Sequence, residues 1–122
     1  MQVLVIDDSA TMRKIIRDSL SKMGDFEIIE SENCDDGLQQ LASIGINLIL
    51  VDWNMPGMTG IDFTKAVRNN PALAKIPIIM ITSNAEKQHV LSAVTAGVND
   101  YIMKPFTVDV FAQKISNVVG LS

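Results

Sequence analysis

One cysteine, one histidine, one tryptophan and one tyrosine are all that this 122-residue chain holds of four residue types that often build disulfides, metal sites and aromatic clusters. With Cys34 alone no internal disulfide can form, and a reducing, cytoplasmic compartment is expected. Cys34 lies in a short polar segment and reads as an incidental thiol. His89 has no second histidine or cysteine near it, so neither a metal nor a phosphorelay role is expected of it. No basic run exceeds Arg13-Lys14, and acidic residues outnumber basic ones 14 to 10. Nucleic-acid affinity rests largely on clustered cations, so direct binding to DNA or RNA is not expected. No apolar stretch approaches the roughly 20 residues that span a bilayer, and no signal-peptide pattern opens the chain, so no membrane contact is expected. A G-x-x-x-x-G-K sequence is also missing, which excludes a P-loop nucleotide site.

What is present is ordinary globular material, 48% hydrophobic and 20% charged. The length suits one domain, residues 1–122, able to bury roughly 65–70% of its unfolded surface. Strand-like runs begin near Gln2, Glu27, Asn47, Ile76 and Val98, with helical periodicity between them. Ser9 is placed to cap a first helix whose Met12, Ile15, Ile16, Leu20 and Met23 share a face, with Gly24 as its stop. Further helices are expected over Asp35–Ser43, Ile61–Arg68 and Ala85–Ala96. A last one opens at Thr107 and turns Phe111, Ile115 and Val118 inward. The seven methionines mostly fall in the apolar pattern and read as core filling. Five strands alternating with five helices imply an α/β fold, a parallel sheet covered on both faces. The run Phe26–Glu32 carries three glutamates and suits an edge. That assignment fits the flavodoxin-like (βα)5 order 2-1-3-4-5.

Four apolar runs, Val3–Ile6, Leu48–Val51, Ile78–Ile81 and Tyr101–Met103, are each followed at once by polar residues: Asp7-Asp8, Asp52, Thr82 and Lys104. In a parallel sheet those residues converge on the carboxyl edge, where open α/β sheets bind ligands. Three carboxylates, a cation and a hydroxyl suit a divalent metal and a phosphoryl group.

The segments Val5-Ile-Asp-Asp-Ser9, Val51-Asp-Trp-Asn-Met-Pro-Gly-Met-Thr-Gly60, Ile81-Thr-Ser83 and Tyr101-Ile-Met-Lys-Pro-Phe106 resemble the receiver domain of two-component response regulators, and its stand-alone chemotaxis members above all. The likeness runs the whole length of the chain. It implies that Asp52 accepts a phosphoryl group from a histidine on a partner kinase. It implies Mg²⁺ held by Asp8, Asp52 and the Asn54 carbonyl, with Asp7 acting mainly through water. Lys104 would offset charge on the phosphoryl oxygens, and its peptide bond to Pro105 would be cis. Thr82 would bond a phosphoryl oxygen and draw Tyr101 inward as the switch aromatic. Asn54 and Asn84 would tune the phosphate lifetime, although Asn84 also suits a simple helix cap. Trp53, beside the acceptor, would report metal and phosphate by fluorescence even if it is only a surface aromatic. The output surface would be the fourth helix, fifth strand and fifth helix, including Lys87, Tyr101 and Lys114. Its target, for a chemotaxis member, would be a component of the flagellar motor switch, and the protein would be a monomer.

Two alternatives remain at this level. An excised receiver of a longer DNA-binding regulator would share the chemistry and differ in its output. A haloacid-dehalogenase-type phosphatase also uses an aspartate nucleophile with Mg²⁺, but needs a carboxylate two residues later, where Asn54 stands. A flavodoxin would need a Ser/Thr-Gly phosphate loop after the first strand, where Asp7-Asp-Ser-Ala stands instead.

Overall fold

A computed structural model describes residues 1–53, 55, 57–83 and 87–120. The strands are β1 (Gln2–Ile6), β2 (Glu27–Ser31), β3 (Leu48–Asp52), β4 (Ile78–Thr82) and β5 (Asp100–Met103). The helices are α1 (Ala10–Ser21), α2 (Cys34–Ser43), α3 (Gly60–Asn69), α4 (Lys87–Ala96) and α5 (Val108–Val119). All neighbouring strands pair in parallel, in the order β2-β1-β3-β4-β5, as the sequence pattern predicts.

Strand alternation divides the apolar residues between two faces. Leu4, Ile6, Ile49, Val51, Ile78 and Met80 pack with Leu41, Phe63, Val67 and Ala93, so α2, α3 and α4 cover one face. Val3, Val5, Leu48, Leu50, Ile79, Ile81 and Ile102 pack with Ile16, Leu20, Phe111 and Ile115, so α1 and α5 cover the other. Phe63 and Phe111 are fully buried, one on each face, each contributing about 1.5–3 kcal/mol of apolar burial. Every strand residue of β3 and β4 is buried, while β2 carries a partly exposed pattern at the sheet margin.

Four helices begin at side-chain caps. Ser9, Asn33, Thr59 and Thr107 each accept a hydrogen bond from the backbone N–H three residues on. Ser9, Asn33 and Thr107 start their helices within a few residues of the preceding strand ends, whereas Thr59 follows a longer loop after β3.

Several expectations shift. The fourth and fifth strands begin two residues later than the runs at Ile76 and Val98 suggest. Pro77 has no N–H to donate, and the Val98 N–H is used to close α4 on the Ala93 carbonyl. Cys34, although flanked by the exposed polar residues Asn33 and Asp35, opens α2 and is itself fully buried in the core, its Sγ 3.8 Å from the Thr59 carbonyl oxygen. Of the methionines, Met55 and Met80 are buried and Met12, Met23 and Met58 pack partly, but Met1 and Met103 are exposed. Met103 is the last residue of β5, the edge strand of the sheet, and lies where the covering helices no longer shield it.

Candidate functional site

The site is assembled by backbone bonds between strand ends before any side chain acts. The Asp7 N–H donates to the Ser31 carbonyl at 3.1 Å, the Trp53 N–H to the Ile81 carbonyl at 3.0 Å, and the Lys104 N–H to the Thr82 carbonyl at 2.7 Å. These bonds extend the ladder one residue past each strand and bring Asp7, Asp52, Thr82 and Lys104 to one edge. Asp7, Asp52 and Thr82 are all buried, at 1%, 8% and 3% exposure, whereas Asp8 is exposed.

One carboxylate oxygen from each of Asp7, Asp8 and Asp52 lies within 4.8 Å of the others. The Lys104 ammonium stands 3.2 Å from Asp7 Oδ2 and 3.4 Å from Asp52 Oδ2, so one cation bridges two buried carboxylates. Three anionic groups with one ammonium leave the cluster short of positive charge. Hard, closely set oxygens of this kind fit Mg²⁺, which takes carboxylates and waters. Asp7 Oδ1 accepts from the Ser9 N–H at 2.9 Å, while Ser9 Oγ accepts from the Met12 N–H at 3.2 Å. The Asp-Asp-Ser segment therefore caps α1 and presents its carboxylates at once. The Lys104-Pro105 peptide is cis, as the resemblance implies.

α3 approaches the end of β3 closely. A Cβ on Gly60 would stand 2.7 Å from the Asp52 carbonyl oxygen, 3.4 Å from Met80 Cε and 3.4 Å from Trp53 Cα. Only glycine leaves the Asp52 backbone in place there.

Tyr101 is half-buried on β5, in register with Met80, two residues before Thr82 on the neighbouring strand. Residues two apart on a strand share a face, so Tyr101 and Thr82 lie on the same side of the sheet. Lys114 Nζ sits 4.5 Å from the Tyr101 ring centroid and 3.0 Å from Asp100 Oδ1. Asn54 and Asn84 lie outside the described residues, as does the Lys87 side chain.

Three features escape a reading of the sequence. Trp53 is half-buried, and its ring stacks on His89 with centroids 5.1 Å apart and planes 19° apart. His89 is thus a neighbour of the segment that follows Asp52 rather than an isolated helix residue. Arg13 Nη1 donates to the Asp7 carbonyl at 2.5 Å while its Nε donates to Glu30 Oε1 at 3.0 Å. The one signal for this contact is an arginine a single turn after the Ser9 cap, opposite a glutamate in an edge strand. Burial and the nearby Asp35, Asp52 and Asp62 push the Cys34 thiol up to about 12, which makes it an inert core group.

Residues 3–116 match the response regulator receiver domain, and the chain belongs to that family. It is 44% identical over 121 residues to the chemotaxis protein CheY1 of Helicobacter pylori, covering 98% of each chain. It is 40% identical over 118 residues to the chemotaxis protein CheY of Pseudomonas aeruginosa, covering 97% of this chain and 95% of that one. Among solved structures, a putative response regulator from Chloroflexus aurantiacus superposes with a TM-score of 0.92 at 26% identity, covering 98% of this chain and 97% of that one. The chemotaxis response regulator CheY4 of Vibrio cholerae gives 0.89 at 27% identity, with 96% and 97% covered. The chain is a receiver-type signalling protein rather than a turnover enzyme, and no described helix is long and apolar enough to cross a membrane.

Proposed function

We propose that Asp52 accepts a phosphoryl group from a phosphohistidine of a sensor kinase, and that the modified protein carries a chemotaxis signal to a flagellar motor switch component. The observation that carries this reading is the meeting of one carboxylate oxygen from each of Asp7, Asp8 and Asp52 within 4.8 Å, with the Lys104 ammonium bridging Asp7 and Asp52. Phosphoryl transfer needs positioning and charge neutralisation more than covalent help from the protein. An Asp52 oxygen attacks phosphorus, a P–O bond forms, the P–N bond breaks, and the released imidazole takes up a proton from solvent. Lys104 then stands beside both the acceptor and Asp7, able to follow charge from carboxylate to phosphoryl oxygen.

Asp8, Asp52 and the Asn54 carbonyl would hold Mg²⁺, with Asp7 acting through water; the ion supplies neutralisation of the phosphoryl oxygens. Thr82 donates its hydroxyl to a phosphoryl oxygen, and Tyr101 turns inward in response. Water later hydrolyses the acyl phosphate, at a rate tuned by Asn54 and Asn84. The output face is formed by α4, β5 and α5, with Lys87, Tyr101 and Lys114. Exposed apolar side chains on each of those elements support docking there: Leu91 and Val94 on α4, Met103 on β5, Val108 and Val110 on α5. The protein acts as a cytoplasmic monomer, and the high identity to chemotaxis proteins over nearly their whole length favours that pathway.

The test adds Mg²⁺ and then acetyl phosphate while following Trp53 emission, with mass spectrometry of the product. Wild type changes emission and gains one phosphoryl group, and Asp52→Asn does neither. A wild type that takes up no phosphoryl group with Mg²⁺ present overturns the reading.

A further inference from the structure

Asp8 is exposed and its carboxylate makes no hydrogen bond or ion pair among the described residues, unlike Asp7 and Asp52. The backbone therefore sets where its Cα–Cβ bond points, and with it the region that the carboxylate can reach. The peptide linking Asp7 to Asp8 is planar, so its orientation follows from where the Asp7 carbonyl points. That carbonyl is held by Arg13 Nη1 at 2.5 Å. The Arg13 guanidinium is in turn fixed through Nε to Glu30 Oε1 at 3.0 Å, and Glu30 Oε2 accepts from Arg17 Nη1 at 2.8 Å. Arg13 is only 12% exposed on its side chain, against 42% for Arg17. Glu30 belongs to β2 and pairs in register with Val5, two residues before Asp7. The Asp7 N–H is meanwhile bound to the Ser31 carbonyl of the same strand.

We infer that Arg13, braced by Glu30, is a positioning residue for the metal carboxylates: it fixes the plane of the Asp7–Asp8 peptide and so aims Asp8 at the cluster. Two properties make an arginine suited to this. Its planar fork serves a carbonyl and a carboxylate at once, which the single ammonium of a lysine does with less geometric control. Glu30 also offsets the charge of the Arg13 guanidinium, while the remaining positive charge of the brace lies with Arg17, the more exposed of the two arginines. Arg17 completes the brace without touching the Asp7 carbonyl. Partners that orient metal ligands in this way typically change metal affinity about 10–100-fold when removed.

The inference rests on the reading of Asp7, Asp8 and Asp52 as an Mg²⁺ site. Its test is an Mg²⁺ titration of the full chain, followed by calorimetry and by Trp53 emission, for wild type, Arg13→Ala, Arg13→Lys, Glu30→Gln and Arg17→Ala. Thermal midpoints in EDTA are recorded alongside. Arg13→Ala and Arg13→Lys are expected to weaken Mg²⁺ binding about tenfold, Glu30→Gln less, and Arg17→Ala by under about twofold. Arg13→Lys keeps the charge and most of the stem, so it decides the matter even where Arg13→Ala folds poorly. A loss of affinity in Arg17→Ala matching that in Arg13→Lys would mean that brace stability, not peptide aim, is what matters, and would overturn the inference. Wild-type affinity in Arg13→Lys also overturns it while leaving the phosphoacceptor reading intact. Failure of the wild type itself to bind Mg²⁺ removes both.

Discussion

The indole of Trp53 lies against the imidazole of His89, joining the residue after β3 to the first turn of α4. The two rings are nearly parallel, and each partly shields the other from water.

Replacing His89 by alanine uncovers one face of the indole. Trp53 emission is expected to shift to the red, with a stability loss of about 1 kcal/mol from the lost ring pair. Steady-state emission and urea unfolding check both. An unshifted spectrum would mean that the stack does not persist in solution.

Gly60→Ala drives a methyl group into the Asp52 carbonyl oxygen, since the contact would be 2.7 Å. Either α3 or the end of β3 must yield. Overpacking of this kind typically destabilises by about 1–3 kcal/mol. The same displacement moves the acceptor, so phosphoryl uptake from acetyl phosphate should slow more than Mg²⁺ binding weakens. Urea denaturation and a time course of labelling separate the two effects.

Mg²⁺ should raise the thermal midpoint of the wild type. At ten times its dissociation constant, a ligand specific for the folded state adds about 1.4 kcal/mol. Asp8→Asn should lose most of that gain. In EDTA, however, the variant should be at least as stable as wild type, because one of three neighbouring carboxylates, the one that Lys104 does not pair, has been neutralised. Calorimetric scans with and without the ion test both halves.

Cys34 gives a prediction in the alkaline range. Its thiol is raised from 9.0 to about 12 in the folded protein, so the folded state keeps a proton that the unfolded state has released. The associated stability is fully present below about pH 9 and is lost as pH climbs toward 12. Cys34→Ala should therefore show a shallower fall in stability across that window than wild type, measured by urea midpoints. At pH 8 the native thiol should react with thiol reagents only through opening of the fold, and quickly once denaturant is added.

Much of this molecule could be read along the chain because its signals are local. Alternation and helical spacing locate the strands and helices, and Ser9 and Thr107 announce the starts of α1 and α5. The polar residue after each apolar run marks the edge where Asp7, Asp52, Thr82 and Lys104 meet. What could not be read is contact between distant segments that no period encodes. Cys34 sits among polar neighbours in sequence, yet helix geometry turns it alone into the core. His89 meets Trp53 only because the loop after β3 and the start of α4 share an edge. Arg13 and Glu30 look like ordinary surface charges until β2 is placed beside β1.

The bond between Lys104 and Asp7 joins residues 97 apart, nearly the two ends of the chain. β1 is the first of the five strands in chain order and β5 the last, so the Lys104–Asp7 contact cannot form until all five have been made. Loop closure over that span is slow and comes with the completed sheet. A sheet in which β5 is not docked would leave Asp7 and Asp52 without the ammonium that bridges them, so the electrostatic balance of the site depends on the last strand to be added.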